Sequence, residues 1–235
     1  MTLKDVMTEL KGLGNVQTKR IYIRHGARDP LFGVKIADLK KIVRKIKTDH
    51  ALALELYDTG NSDAMYLAGL IADADIVSRD ELRKWAKSAY WYMLSEYTVA
   101  GLAADSPHGW KLAIEWINSD QEMVEATGWA TLSNWISTTP DEMLHKDAII
   151  EFMNLVVENI ESSQNRVRYT MNGFIIAVGS YIPSLCNEAI GIARQIGKVE
   201  VDMGVTTCKV PLAKEYIEKV ISSRRLGKKR KKARN

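Results

Sequence analysis

Strand alternation is almost missing from this sequence, and only KVEVDMGV at 198–205 hints at extended chain. That leaves little room for a sandwich, a barrel or an α/β sheet. Cysteine is scarce. Cys186 and Cys208 stand alone and lack a close spacing, so neither a disulfide framework nor a zinc site is indicated. The histidines, His25, His50, His108 and His145, are scattered, with no HExxH or other ligand spacing. No Walker loop and no GxGxxG occurs, so no metal and no cofactor is implied. No run approaches the roughly 18 apolar residues of a membrane span. The opening MTLKDVMTELK carries charges where a signal peptide needs an apolar stretch. A reducing cytoplasm is the expected compartment, alongside the nucleoid in a bacterium.

Acidic residues are absent from one further place, the C-terminus. Residues 224–235, RRLGKKRKKARN, carry Arg224, Arg225, Lys228, Lys229, Arg230, Lys231, Lys232 and Arg234 and no acid. Without these eight, 25 basic residues face 29 acidic ones, so the body is net −4 and the net +4 of the chain belongs to its tail. Such a charge block is expected to be disordered and to suit a polyanion, most often nucleic acid. The body, residues 1–223, shows no internal stretch resembling a linker and is expected to be one domain.

What is present is helical spacing almost everywhere. Leu39, Ile42, Val43 and Ile46 follow the i, i+3, i+4, i+7 pattern of one helix face, and Ile149, Phe152, Met153, Val156, Val157 and Ile160 extend it over four turns. Breaks such as DTGNSD at 58–63 and STTPDE at 137–142 recur at helix-sized intervals, with Asp63, Ser119, Thr139 and Ser163 placed as caps. The segments read as about ten to twelve helices. The expected pairs are 35–47 with 50–58, 62–74 with 79–89, 90–104 with 108–118, 120–137 with 143–161, and 164–180 with 183–196. A pair every roughly 30–40 residues is the size class of α-solenoid repeats. The expected fold is therefore all-α, antiparallel helix pairs stacked into a curved solenoid with a concave face.

Three patterns carry a family resemblance: YIRHGARDPLFGVKIADLKKIVRKIK at 22–47, WYMLSEYTVA at 91–100, and KVEVDMGVTTCKVPLAKEYI at 198–217. Together they resemble the DNA alkylation repair family, the AlkD-like proteins built of HEAT-like repeats, over about residues 3–222. The resemblance implies a monomeric HEAT-like array that binds double-stranded DNA, alkylated or structured. It also implies glycosylase chemistry, the excision of N3- and N7-alkylated purines. Two rival readings stay open: a non-catalytic paralogue that binds DNA structures without the catalytic acid, and a protein-interaction scaffold.

The family's enzymes use a Trp followed four residues later by an Asp. A fixed carboxylate there stabilises positive charge developing on the sugar, and aromatic faces hold the cationic base. Trp91 matches the aromatic, and the acid's position falls on Ser95, which carries no charge. Glu96 is the neighbouring carboxylate, but on ideal α geometry it lies about 140° around the helix from Trp91. Phe174 falls where the family has a later aromatic, and Glu125 where its enzymes carry a phosphate-contacting arginine. Trp129, six residues before Trp135, is a further candidate for a DNA contact. For each aromatic, interhelix packing is the competing explanation. The candidate phosphate-binding residues are Arg24, Lys35, Lys40, Lys41 and Arg44, with Arg166 and Arg168 in a helix's first turn. A solvated helix face explains the same stripe.

Overall fold

A computed structural model describes residues 1–234 of the chain. These residues form thirteen α-helices and no strand. The N-terminal helices are α1 (Leu3–Leu13), α2 (Val16–Arg24), α3 (Ile36–Ile46), α4 (His50–Asp58), α5 (Ser62–Ile71) and α6 (Arg79–Ser88). A π-helical segment, Met93–Val99, runs directly into α7 (Ala100–Asp105). The rest are α8 (Gly109–Ile117), α9 (Glu122–Thr138), α10 (Lys146–Asn159), α11 (Asn165–Tyr181), α12 (Cys186–Ile196) and α13 (Ala213–Ser222).

The apolar stripes do what their spacing dictates. Leu39 and Ile42 are buried in α3, as are Ile149, Met153 and Val156 in α10. The ends are set by short polar side chains. Thr2 with Asp5, and Ser78 with Glu81, form capping boxes that satisfy otherwise unpaired backbone donors of α1 and α6. The expected caps Asp63, Ser119 and Ser163 lie one or two residues from the observed ones, and Thr139 lies six before His145. Asn61 caps α5, and Gln121, His145 and Gln164 precede α9, α10 and α11. Ser163 instead donates to Asn159 O of the preceding helix, at 2.9 Å. Asp63 has a different task, holding the Phe32-Gly33-Val34 turn. Its carboxylate accepts from the N–H groups of Phe32, Gly33 and Val34 at 2.6, 3.0 and 2.8 Å. Gly33 has φ +80, and a Cβ there would stand 2.5 Å from Lys19 N, so only glycine fits this turn.

The helices stack in two layers as HEAT-like repeats. The π segment and α7 pack between α5 and α9, α9 packs on α11, and α11 on α13, which makes one layer. In the other layer Lys84 of α6 pairs with Asp58 of α4 at 2.7 Å, Arg83 of α6 with Glu115 of α8 at 2.7 Å, and α10 meets α12. Among sequential helices, α11 packs on α12 as expected, whereas α4 with α5 and α8 with α9 pack one helix out of step with the expected pairing. The first layer lines the concave side. Curvature there lets side chains of the π segment reach α11 past α9, and brings Gly204 against Arg24 of α2.

The tail departs from expectation. Residues 224–234 are not a disordered extension but a strap laid across the C-terminal ends of the inner helices. Gly227 N–H donates to Ser180 O of α11 at 2.9 Å, and Arg230 N–H to Ser137 O of α9 at 2.8 Å. Lys229 Nζ donates to Ile136 O at 3.0 Å and pairs with Asp141 at 2.9 Å. Ala233 N–H and Arg234 Nε reach Asp105, the last residue of α7, at 2.7 and 2.9 Å. Arg234 Nη1 ends the strap on Gly69 O and Ala72 O of α5, at 3.0 and 2.7 Å. The final carbonyls of a helix lack intrahelical donors and carry the negative end of its dipole, so a cationic segment is their natural partner.

Arg234→Ala removes charge-assisted hydrogen bonds to two helix ends and is expected to cost about 2–3 kcal/mol. Chemical denaturation of the variant and the wild type checks this. An unchanged midpoint would mean that the strap is not anchored there.

Candidate functional site

The stretch from Trp91 to Val99 is the centre of the concave layer, and its π geometry decides what each side chain does. Ser95 N–H still donates to Trp91 O at 3.0 Å, but Ala100 N–H bonds to Ser95 O, five residues back, and Thr98 Oγ1 donates to Met93 O at 3.1 Å. The wider turn re-aims the residues that follow relative to an α-helix.

Ser95, at the position of the family acid, is fully buried, with its Oγ 3.7 Å from the Met123 sulfur of α9. A carboxylate at this place would have no water and no cation. Glu96 turns to α11 instead. Arg166 holds it with two parallel hydrogen bonds, of 2.8 and 2.7 Å, and both side chains are nearly closed to solvent. The guanidinium also lies over the rings of Tyr92 and Tyr169, at 4.8 and 4.3 Å from their centroids. Burial pushes the Glu96 carboxyl up to about 7; the arginine opposes that rise, and nearby Glu122 adds to it. A carboxylate whose charge and lone pairs are already matched by a bidentate guanidinium has little left for a developing sugar cation.

The aromatic residues divide in two. Trp91 is 4% exposed and donates from Nε1 to His25 O at 2.7 Å, with Tyr22 packed against its ring. It fastens α2 to the concave layer, whereas Glu96 fastens the π segment to α11. Trp129 and Phe174 are fully buried, 5.3 Å apart between ring centroids, and cannot meet DNA. Packing is the correct account of these two. The accessible aromatics are tyrosines that the sequence did not single out, Tyr97 and Tyr216, each about half exposed. Tyr92 and Tyr97 meet edge-on although they are five residues apart, a relation the α period hides.

The basic candidates divide as well. Arg166 is not a phosphate ligand in waiting, since Glu96 takes its guanidinium. Its backbone N–H, in the first turn of α11, is not free to donate to an outside anion either, because it donates to the Glu122 carboxylate at 2.7 Å. Arg168 is half-buried two residues on. Glu125 is half-buried in the first turn of α9, its carboxyl raised by burial. Arg24, Lys35, Lys40, Lys41 and Arg44 are exposed. Lys41 is paired with Asp38 at 2.7 Å, while Lys40 and Arg44 make no ion pair among the described residues.

A curved array of paired helices, with a concave layer locked by Glu96–Arg166, defines a HEAT-like repeat protein. The model of the family described as DNA alkylation repair enzyme matches residues 6–198. The chain belongs to that family. It is 37% identical over 225 residues to the uncharacterized protein Lin0241 of Listeria innocua, covering 93% of this chain and 97% of the relative. The uncharacterized protein Lmo0209 of Listeria monocytogenes is 35% identical with the same coverage. A solved structure superposes with a TM-score of 0.91 at 38% identity, covering 98% of both chains. It is described as a new family of proteins related to the HEAT-like repeat DNA glycosylases with affinity for branched DNA structures.

Two outcomes test the lock. Arg166→Met strands a buried carboxylate and should destabilise the fold by about 3–5 kcal/mol, and adding Glu96→Leu should recover most of the loss. The second outcome is a pH dependence. The folded carboxyl titrates above its ordinary 4.5, so the folded state holds the proton more tightly than the unfolded chain. That contribution is complete below about pH 4.5 and is lost as the pH climbs toward about 7. Glu96→Gln does not titrate, so the wild type should lose melting temperature relative to it between about pH 5 and about pH 8. A difference that stays flat with pH would contradict this.

Proposed function

We propose that this protein binds branched DNA and does not excise alkylated bases. The observation that carries the reading is the fate of the two acid positions: Ser95 is uncharged and sealed against Met123, and Glu96 is consumed by Arg166. Hydrolysis of a glycosidic bond needs negative charge placed where the sugar becomes cationic. The concave layer supplies none that is uncommitted at this point, and the aromatics that would hold a flipped nucleotide are inside the core.

DNA binding has separate support. The similar solved structure, related at 38% identity along nearly its whole length, is described as having affinity for branched DNA. This chain presents exposed, unpaired cations on α3, and a strap that carries eight more basic residues over an acidic body. Positive charge spread along a surface engages phosphates without reading bases, which suits a DNA recognised by its shape.

The test compares a four-way junction with a linear duplex of equal length and composition, by fluorescence anisotropy at fixed salt. Tighter binding of the junction is expected, with a steep loss of affinity as salt rises. Equal affinity for the two would sink the branched-DNA reading. In parallel, methylated DNA incubated with folded protein in excess should release no 3-methyladenine or 7-methylguanine. Release that disappears in Glu96→Gln would restore a catalytic role for that carboxylate.

A further inference from the structure

We propose that the outward side of the strap and the C-terminal end of α3 form one continuous rail for the phosphate backbone. This rests on the DNA-binding reading above and deepens it, by assigning the contact surface to one edge of the array rather than to the Trp91–Glu96 region.

The strap is two-sided. Lys229, Arg230, Ala233 and Arg234 turn inward and are held by helix ends, Asn134, Asp141 and Asp105. Arg225, Lys228, Lys231 and Lys232 are exposed, and their side chains have no ion pair among the described residues. The inward residues fix the backbone, and the outward ones are left as an ordered row of charge. Order matters, because a preformed row gives up less conformational freedom on binding than a free tail.

The row does not stop at Arg234. The carbonyl of Ala72 takes Arg234, and the carbonyl just before it, Ile71 O, takes the N–H of Asp49 at 2.9 Å. Asp49 follows two residues after Lys47, where α3 ends. The strap's last anchor and the end of α3 therefore meet on the same turn of chain. Arg44 and Lys47, exposed and unpaired in that end of α3, extend the line. Five helix ends, those of α11, α9, α7, α5 and α3, are thus spanned. At interaxial spacings of about 8–10 Å the rail is about 32–40 Å long, close to one turn of duplex, about 34 Å.

The inward contacts also change the sign of this edge. Bare helix C-termini and the Asp105 and Asp141 carboxylates would repel phosphate. With Lys229, Arg230 and Arg234 set among them, the surface that faces solvent is the cationic one.

Two variants on separate elements test the rail, with the four-way junction as probe. Lys228→Ser/Lys231→Ser/Lys232→Ser should leave the melting temperature unchanged, because those side chains touch no anchor. It should weaken junction binding about tenfold or more and flatten the slope of log K against log salt by about 3. Arg44→Ser/Lys47→Ser should flatten it by about 2. Lys111→Ser, on the outer helix α8, is the control and should change neither quantity. Unchanged slopes in both rail variants, with the wild type binding the junction, overturn the rail and leave the DNA-binding reading intact. A wild type that does not bind the junction overturns that reading, and the rail with it.

Discussion

The inner helices run in the same direction, so all their C-terminal carbonyls emerge along one edge. Those carbonyls lack helical donors and sit at the negative ends of the dipoles. Much of the structure answers to this constraint. A chain that is net acidic without its last dozen residues ends in a cationic strap, which crosses the edge and anchors on α11, α9, α7 and α5. Carboxylates meet free N–H groups on the complementary side of the problem: Asp63 takes three in the Phe32–Val34 turn, and Glu122 takes that of Arg166 in the first turn of α11. Opposite charges on the two kinds of helix end make the acidic body and the basic tail parts of one electrostatic design.

Glu96–Arg166 is the second organising contact, and it separates architecture from chemistry. The pair joins the π segment to α11 past α9 and so holds the curvature from inside. Its stabilising value lies in geometry and completeness, with two hydrogen bonds and tyrosines on the guanidinium, since a buried ion pair lacking these would not recover its desolvation cost. The same completeness leaves both carboxylate oxygens of Glu96 engaged by Arg166. One residue earlier, the uncharged Ser95 is sealed against Met123 of α9. The Glu96 carboxylate has a structural task, joining two inner helices through Arg166.

How legible was this in the residues? The apolar stripes of α3 and α10 announced their helices, because burial of one face obeys a local period. The turn at Phe32-Gly33-Val34 was visible as a motif, but its partner Asp63 read as a helix cap: a carboxylate near a helix start has the same local signature whichever backbone it binds. Trp129 and Phe174 read as possible contacts from the residues, because an apolar aromatic on a helix looks the same facing a groove or a core. Tyr97 passed unnoticed, since its relation to Tyr92 depends on a π turn that no α period reveals.

The sequence by itself determined the class of fold, the family, the lack of charge at Ser95 and the segregation of basic residues at the C-terminus. These are properties of composition, of local period or of single positions. Tertiary structure alone decided that Glu96 pairs with a residue seventy positions away, that Trp91 fastens α2, and that the tail is a strap. Each of these depends on where distant backbone groups end up once the array curves. The tail shows the difference most plainly. Its charges were fully legible, but the carbonyls that order it are ordinary peptide groups, present in every residue and distinguished only by lying at the ends of packed helices.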